Sequence, residues 1–194
     1  MTKIIGLTGG IGSGKTTIAN HFKKANIPVY IADDEARRIT QSPEVLDEIK
    51  KTFGDSIFDD AILNREKLSK IVFNDPEKLK QLNAIIHPAV RKHFQDWVLN
   101  HKNAPFVIYE AAILFESGSY MNCDMILTVT APIESRIQRV IQRDNTTREQ
   151  VLNRINAQWN DDQRIAKSDF VIENVDPKTT KNEIDKILKI LKIY

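Results

Sequence analysis

The chain has 194 residues, of which 41% are hydrophobic and 28% are charged, and its formal net charge is +2. The composition is typical of an ordinary soluble globular protein, and the length predicts one domain or one domain with insertions. No single-signed charge tract indicates a nucleic-acid partner, and no stretch approaches the ~20 apolar residues of a membrane span. Cys123 is the only cysteine, which excludes an intrachain disulfide. We therefore expect a cytoplasmic protein that acts without nucleic acid or membrane.

A glycine-rich stretch near the N terminus carries the strongest motif. Residues 9–16 read GGIGSGKT and fit the pattern G-x-x-x-x-G-K-[ST]. The apolar residues 4–7 before it are typical of a buried parallel strand, and apolar residues recur at helical spacing after it. Glycines let backbone N–H groups converge on one concavity, to which the helix adds its own free N–H groups. The stretch predicts a phosphate-binding loop, and the alternative is a glycine-rich turn that matches by chance.

Individual residues of this loop have separate expected roles. Lys15 can reach the β- and γ-phosphate oxygens, and the Thr16 hydroxyl can ligate Mg²⁺. The motif indicates a nucleoside triphosphate, which we expect to be ATP, but not the acceptor of its phosphate. The residues expected to bind ATP here are Gly10, Ile11, Gly12, Ser13, Gly14, Lys15, Thr16 and Thr17.

A carboxylate follows the second predicted strand. Residues 29–31 are predicted to form that strand, and Asp33 comes shortly after it. In open α/β sheets ligands lie beyond the carboxyl ends of the strands, so Asp33 is a candidate catalytic acid. It can equally cap the next helix, and the two roles do not exclude each other.

Residues 43–104 show helical spacing and no strand-like run. The longest predicted helix begins at Pro76, with Asn74 and Asp75 as its cap, and Pro88 is expected to interrupt it. This insert either holds the phosphate acceptor or is a purely structural layer. His87 is correspondingly either a ligand-binding residue or a packing residue.

Three further strands are predicted at residues 106–109, 125–129 and 169–172, alternating with helices. Arg136, Arg139 and Arg143 share one helical stripe after the fourth strand, and Arg148 follows in the next helix. They form either a solvated basic face or a lid over the triphosphate. The element order predicts an α/β fold of the P-loop NTPase, nucleotide-kinase-like type. Its five-stranded parallel sheet carries helices on both faces, with a helical insert and a helical lid.

The segments together resemble the dephospho-coenzyme A kinase family over essentially the whole chain. Ile31 stands where that family has the first aspartate of its second-strand motif, so Asp33 is the only candidate carboxylate of that motif. Ala112 replaces a proline, and Val175 stands where a glycine is usual. The resemblance is carried by the glycine loop, Val29-Tyr30-Ile31-Ala32-Asp33, Leu82-Asn83, Ile86-His87-Pro88, Ile113-Leu114-Phe115-Glu116, Gln142-Arg143-Asp144, Thr147-Arg148-Glu149, Gln158, Arg164 and Asp169 to Asn174.

The resemblance implies that ATP phosphorylates the ribose 3′-hydroxyl of dephospho-CoA, with Mg²⁺, to give CoA. It implies that Asp33 is the general base, that Lys15 and Arg143 also act in catalysis, and that Arg139 and Arg148 bind ATP. His87, Leu114, Phe115 and Glu116 are expected to bind the acceptor. We expect a core of residues 1–34, 105–135 and 166–194, an acceptor-binding insert of residues 35–104 and a lid of residues 136–165. We expect a monomer or a weak homo-oligomer.

Two other functions share some of these features. Another P-loop nucleoside or nucleotide kinase would have the same loop, the carboxylate after strand two and the arginine lid. A GTP-dependent switch would read guanine through an N-K-x-D motif, which this sequence lacks, since Asn103 is followed by Ala104. Turnover of a panel of acceptors separates the kinases from each other.

Overall fold

The computed structural model describes residues 2–73 and 75–193, so the predicted cap residue Asn74 lies outside the described residues. The chain forms two compact units. The first combines the chain up to Ala32 with the chain from His101 onward, and the second is Asp33–Asn100. Across the described residues, no helix combines the length and apolar character needed to cross a membrane.

The described residues form seven strands and nine α-helices. The strands are β1 (Lys3–Thr8), β2 (Val29–Ile31), β3 (Phe58–Asp59), β4 (Ile62–Leu63), β5 (Phe106–Glu110), β6 (Met125–Thr130) and β7 (Phe170–Glu173). The α-helices are α1 (Lys15–Lys24), α2 (Ala32–Ile39), α3 (Pro43–Phe53), α4 (Arg65–Phe73), α5 (Pro76–Asn100), α6 (Ile133–Asp144), α7 (Arg148–Asn156), α8 (Asp161–Ile165) and α9 (Pro177–Ile193). Short 3₁₀ turns lie at Asp55–Ile57 and Ser119–Asn122.

The first unit is built on the predicted five-stranded sheet. Its strand order is β2-β5-β1-β6-β7, and all four neighbouring pairs are parallel. In register, Leu7 of β1 lies beside Glu110 of β5 and Leu127 of β6. Because β1 is the central strand, the loop that follows it has a paired strand on each side. This confirms the predicted sheet.

Helices cover both faces of this sheet, as predicted. Ile5 and Leu7 of β1 are fully buried in one cluster with residues of α1 and α9. Side chains alternate between faces along a strand, so Gly6 lies on the opposite face, where Leu114 is its neighbour. On that second face α8 packs against β6. The buried cluster on the first face is Ile5, Leu7, Ile18, Ala19, Phe22, Ile27, Phe106, Ile108, Leu127, Val129, Ile172, Ile184, Ile187, Leu188 and Leu191.

The second unit is mainly helical and has its own core. Helices α2 to α5 and the connecting segments bury Ile39, Val45, Ile49, Ile57, Leu63, Leu68, Val72 and Leu82. The prediction of no strand here was wrong, because β3 and β4 pair antiparallel through a two-residue turn. Both turn residues, Asp60 and Ala61, have positive φ, which suits a tight hairpin. Two-residue strands are too short for an alternating sequence pattern to reveal.

The long helix α5 contains Pro88 and continues through it, so the predicted interruption was wrong. A proline inside a helix removes one backbone hydrogen bond, which costs about 3 kcal/mol or more in isolation. Here the residues on either side of it, including Ile86 and Ala89, pack against the core of the second unit. Burial of this apolar face offsets the lost bond, and local sequence does not reveal it.

Replacing Phe22 by alanine is expected to lower the free energy of unfolding by about 3–5 kcal/mol, because it leaves a cavity in the core of the first unit. Phe22 is fully buried and meets Phe106 edge to face, with ring centroids 6.2 Å apart. Urea denaturation of the full chain measures the change. The control is Phe73→Ala, since Phe73 is 83% exposed and the same truncation there should change stability by less than about 0.5 kcal/mol. Equal effects of the two changes would contradict the assigned core.

Candidate functional site

The glycine loop connects the end of β1 to the start of α1. Gly12 and Gly14 have φ of 78° and 98°, a region that glycine adopts without steric cost. A Cβ on Gly12 would overlap the Arg136 carbonyl, and a Cβ on Gly14 would overlap the Asn174 side-chain amide. Glycine is therefore required at both positions by backbone conformation and by close packing.

The start of α1 presents polar groups beside this loop. The first N–H groups of a helix have no partner inside the helix, and the helix dipole favours negative charge there. Thr16 and Thr17 are exposed in this first turn. The Lys15 Nζ donates to the Gly9 carbonyl at 2.8 Å, which folds the lysine back across the loop. These groups can together bind an anion such as a phosphate.

One side of the loop is held through Ile11. The Ile11 carbonyl accepts a hydrogen bond from Arg136 Nε at 2.9 Å, and its N–H donates to Gln158 Oε1 at 2.9 Å. Burial lowers the pKa of the Arg136 guanidinium, while the neighbouring Asp161 carboxylate opposes that shift. Residues 125 and 147 positions away in sequence thus fix the two peptide units on either side of the Ile11 Cα.

The other side of the loop is held by Arg139 and Asn174. Arg139 Nη1 lies 3.3 Å from the Gly12 carbonyl, and its Nη2 donates to the Asn174 carbonyl at 2.9 Å. The Asn174 side-chain amide donates to the Ser13 carbonyl at 2.8 Å. Arg139 therefore lies directly on the loop, next to the segment that follows β7.

A cavity of about 390 Å³ opens beside this arginine. It is lined by Gly14 and Thr17 from the loop and α1, by Arg139, and by Asn174 and Pro177 after β7. Its volume lies in the range of small-molecule sites, and it combines an arginine with apolar side chains. It adjoins the loop at the residue where α1 begins.

Arg143 and Arg148 do not lie on the loop. Arg143 Nε donates to Asp144 at 2.7 Å, and Arg148 Nη2 donates to Glu134 at 2.7 Å. Both arginine side chains are more than half exposed. The hydrogen bond to Asp144 raises the pKa of Arg143, and the bond to Glu134 does the same for Arg148. The stripe predicted as one set is thus divided, since only Arg136 and Arg139 contact the loop.

The turn after β5 places Glu116 among residues of the α7–α8 segment. Leu114 and Phe115 are buried, and the Phe115 ring stacks on Trp159 with centroids 5.4 Å apart and 4° between planes. Glu116 Oε1 accepts from the Trp159 backbone N–H at 3.0 Å and from Arg164 Nη2 at 3.5 Å. The other oxygen, Oε2, is buried and has no hydrogen-bond partner among the described residues.

Asp33 and His87 both belong to the second unit, where both side chains are exposed. Helix α2 begins at Ala32, directly after β2, so Asp33 lies inside its first turn and the alternative that Asp33 caps this helix is wrong. The His87 side chain on α5 is exposed, which argues against a packing role for it. No cluster of three or more histidine, cysteine or acidic side chains that could hold a metal exists within the described residues.

Two residues of the first unit were missed by sequence reasoning. Trp159 covers Phe115, and Asp161 lies between Arg136 and Arg164. Asp161 is followed by Asp162 in the first turn of α8, where acidic residues are favoured by the helix dipole alone. Its sequence context therefore contains no sign of a buried ionic role.

Comparison with known proteins identifies the family. The dephospho-CoA kinase (CoaE) family model matches residues 3–179. The dephospho-CoA kinase of Fusobacterium nucleatum is 41% identical over 172 residues, which cover 88% of this chain and 89% of that protein.

Solved structures agree with that result. TT1252 from Thermus thermophilus is 35% identical, with a TM-score of 0.88 and 97% of both chains covered. The dephospho-CoA kinase from Campylobacter jejuni is 26% identical, with a TM-score of 0.73, and the match covers 100% of this chain and 98% of that one. The match is thus supported by motif order, by fold and by the length of chain that aligns. The chain belongs to the dephospho-CoA kinase family.

Proposed function

We propose that the protein transfers the γ-phosphoryl group of ATP to the ribose 3′-hydroxyl of dephospho-CoA, giving ADP and CoA. The observation that carries this proposal is the glycine loop at the start of α1, with Lys15 and Arg139 beside it, in a chain of this family. Another nucleoside or nucleotide kinase is not favoured, because the family match spans residues 3–179 and includes the insert as well as the loop.

The loop and its neighbours would bind ATP. Because the loop lies at the N-terminus of α1, its N–H groups and Lys15 can surround the triphosphate. Lys15 would leave the Gly9 carbonyl for phosphate oxygens, and Arg139, which contacts the loop and lines the adjoining cavity, would also bind ATP. The cavity beside Arg139 would take the base of the nucleotide. The proposed ATP-binding residues are Gly10 to Thr17, Arg139 and Arg148.

Thr16 is the residue we propose for Mg²⁺. Its side chain is exposed in the first turn of α1, directly after Lys15, where its hydroxyl can reach an ion held mainly by phosphates and water. Such an ion, when bound, neutralises charge on the phosphates and holds their geometry. Thr16 contributes one neutral oxygen, so the loop itself adds no negative charge next to the triphosphate.

The acceptor would be activated by Asp33, acting as general base on the 3′-hydroxyl. Asp33 is exposed two residues after the end of β2, so its carboxylate is available to a substrate. His87 and Glu116 would bind the acceptor through hydrogen bonds, and buried Leu114 and Phe115 would fix the turn that carries Glu116. Residues 35–104 would thus serve as the acceptor-binding insert of a core made of residues 1–34, 105–135 and 166–194.

Arg143 and Arg148 would act from a lid of residues 136–165. Each would exchange its present carboxylate partner for phosphate oxygens, since arginine matches both groups in geometry. Closure would exclude water, which otherwise competes with the acceptor as nucleophile. A monomeric or weakly oligomeric state, a cytoplasmic location and the absence of nucleic-acid and membrane partners stay predictions.

The choice of acceptor tests the function. We expect phosphorylation of dephospho-CoA to exceed that of free adenosine by orders of magnitude in kcat/KM, because a site built for the whole molecule uses remote contacts to raise the rate. A coupled assay of ADP release over an acceptor panel measures this, and mass spectrometry identifies the product. Equal turnover of adenosine and dephospho-CoA would show a nucleoside kinase instead.

Lys15→Ala is expected to lower kcat by about 100- to 1,000-fold, because it removes a positive group aimed at the transferring phosphate. The matched control is Lys24→Ala, at an exposed lysine at the other end of the same helix, which should keep normal turnover. Thermal unfolding checks that both variants fold. Normal activity of folded Lys15→Ala contradicts the assignment of the loop.

Asp33→Asn is expected to lower kcat by about 100- to 10,000-fold while ATP affinity changes little, since a general base acts on the acceptor hydroxyl. Asp34→Asn is the control, because Asp34 is the exposed neighbour in the same helical turn. Single-turnover kinetics and equilibrium ATP binding separate the two effects. Weaker ATP binding with an unchanged chemical step would instead assign Asp33 to the nucleotide or its metal ion.

A further inference from the structure

A chain of four charged side chains runs from the turn after β5 to the glycine loop. Glu116 Oε1 accepts from Arg164 Nη2 at 3.5 Å, and Arg164 Nη1 donates to Asp161 Oδ1 at 3.1 Å. The second Asp161 oxygen accepts from Arg136 Nη1 at 3.1 Å, and Arg136 Nε donates to the Ile11 carbonyl at 2.9 Å. Acidic and basic side chains alternate along this series, which ends on the Ile11 carbonyl of the loop.

These four charged side chains are largely removed from solvent. The Arg164 side chain is 0% exposed and that of Arg136 is 7% exposed, whereas Asp161 and Glu116 retain about a fifth to a quarter of theirs. Two carboxylates balance two guanidinium groups, so the set has no net charge. Removing one partner of such a set leaves an uncompensated buried charge, which disturbs structure far more than loss of an exposed pair.

Arg136 shapes the loop by packing as well as by hydrogen bonding. A Cβ on Gly10 would overlap the Arg136 guanidinium, and a Cβ on Gly12 would overlap the Arg136 carbonyl. The arginine thus fills the space on the outer side of the loop and fixes the direction of the Ile11 carbonyl. A shift of its guanidinium would move the backbone whose N–H groups are proposed to face the triphosphate.

The position of Arg136 in turn depends on Asp161. Asp161 is the carboxylate that joins the two buried arginines, and Arg164 by itself disfavours the charged form of Arg136. Without the negative charge between them, two guanidinium groups would face each other in a site with little solvent to screen them. Their separation would then increase, and this shift would weaken the bond from Arg136 to Ile11.

We propose that Asp161 is a positioning residue for ATP, which acts by holding Arg136 against the glycine loop. The inference rests on the proposed function, since it assumes that the loop binds ATP. Asp161 touches neither the phosphates nor the acceptor in this scheme. Its contact with Arg136 leads directly to the loop, whereas Glu116 is held by the Trp159 N–H at 3.0 Å as well as by Arg164, so ATP affinity is expected to depend on Asp161 much more than acceptor affinity does.

The test is Asp161→Asn, which keeps the shape of the side chain and removes its charge. Isothermal titration of the full chain with ATP, without acceptor, is expected to give a Kd raised about tenfold or more, the cost of losing a charge-assisted contact. The KM for dephospho-CoA is expected to change much less, because the Trp159 N–H still holds Glu116. The matched control is Asp162→Asn, an exposed neighbour in the same helical turn, which should leave the Kd for ATP unchanged.

A second variant covers the case in which Asp161→Asn does not fold. Arg136→Lys keeps the positive charge opposite Asp161 but loses the fork that reaches both Asp161 and Ile11, and it should raise the Kd for ATP by a similar factor. The inference is overturned if either folded variant binds ATP normally, or if acceptor KM rises as much as the Kd for ATP. A loss of ATP binding in Lys15→Ala, measured in parallel, tests the proposed loop function independently.

Discussion

The glycine loop depends on donors from distant parts of the chain to satisfy its carbonyl groups. A loop that directs N–H groups to one side directs carbonyls to the other, and a buried carbonyl without a partner costs about 1–3 kcal/mol. The carbonyls of Ile11, Gly12 and Ser13 are met by Arg136, Arg139 and Asn174. Helix α6 and the segment after β7 supply these donors, so the loop has its geometry only when β6 and β7 are paired beside β1.

Most of the first unit could be predicted because its signals are local. A short apolar run predicted a strand at residues 4–7, and β1 is Lys3–Thr8. The glycine pattern predicted a strand-to-helix turn, and α1 begins at Lys15. Family resemblance added the reaction, because several weak motifs occurred in the right order. The strand and the turn are encoded by residues close together in sequence, whereas the resemblance combines short motifs spread along the chain.

The features that escaped prediction depend on contacts between distant residues. Pro88 stays inside α5 because tertiary burial offsets a local cost, and β3 is too short to show a period. Arg136 and Arg143 share one helical stripe in sequence, yet one is buried on the loop and the other is exposed beside Asp144. Helical periodicity fixes which side chains share a face, but not what that face meets. Asp161 was missed for the same reason.

Helices α6 and α7 form a pair that three residues attach to the glycine loop. Arg136 and Arg139 bind loop carbonyls from α6, and Gln158, just after α7, binds the Ile11 N–H. Asn145, with φ of 49°, turns the chain between the two helices. Movement of this helix pair therefore requires either bending at Asn145 or the loss of one of these hydrogen bonds to the loop. Nucleotide binding at the loop and movement of the two helices would therefore act on the same backbone segment.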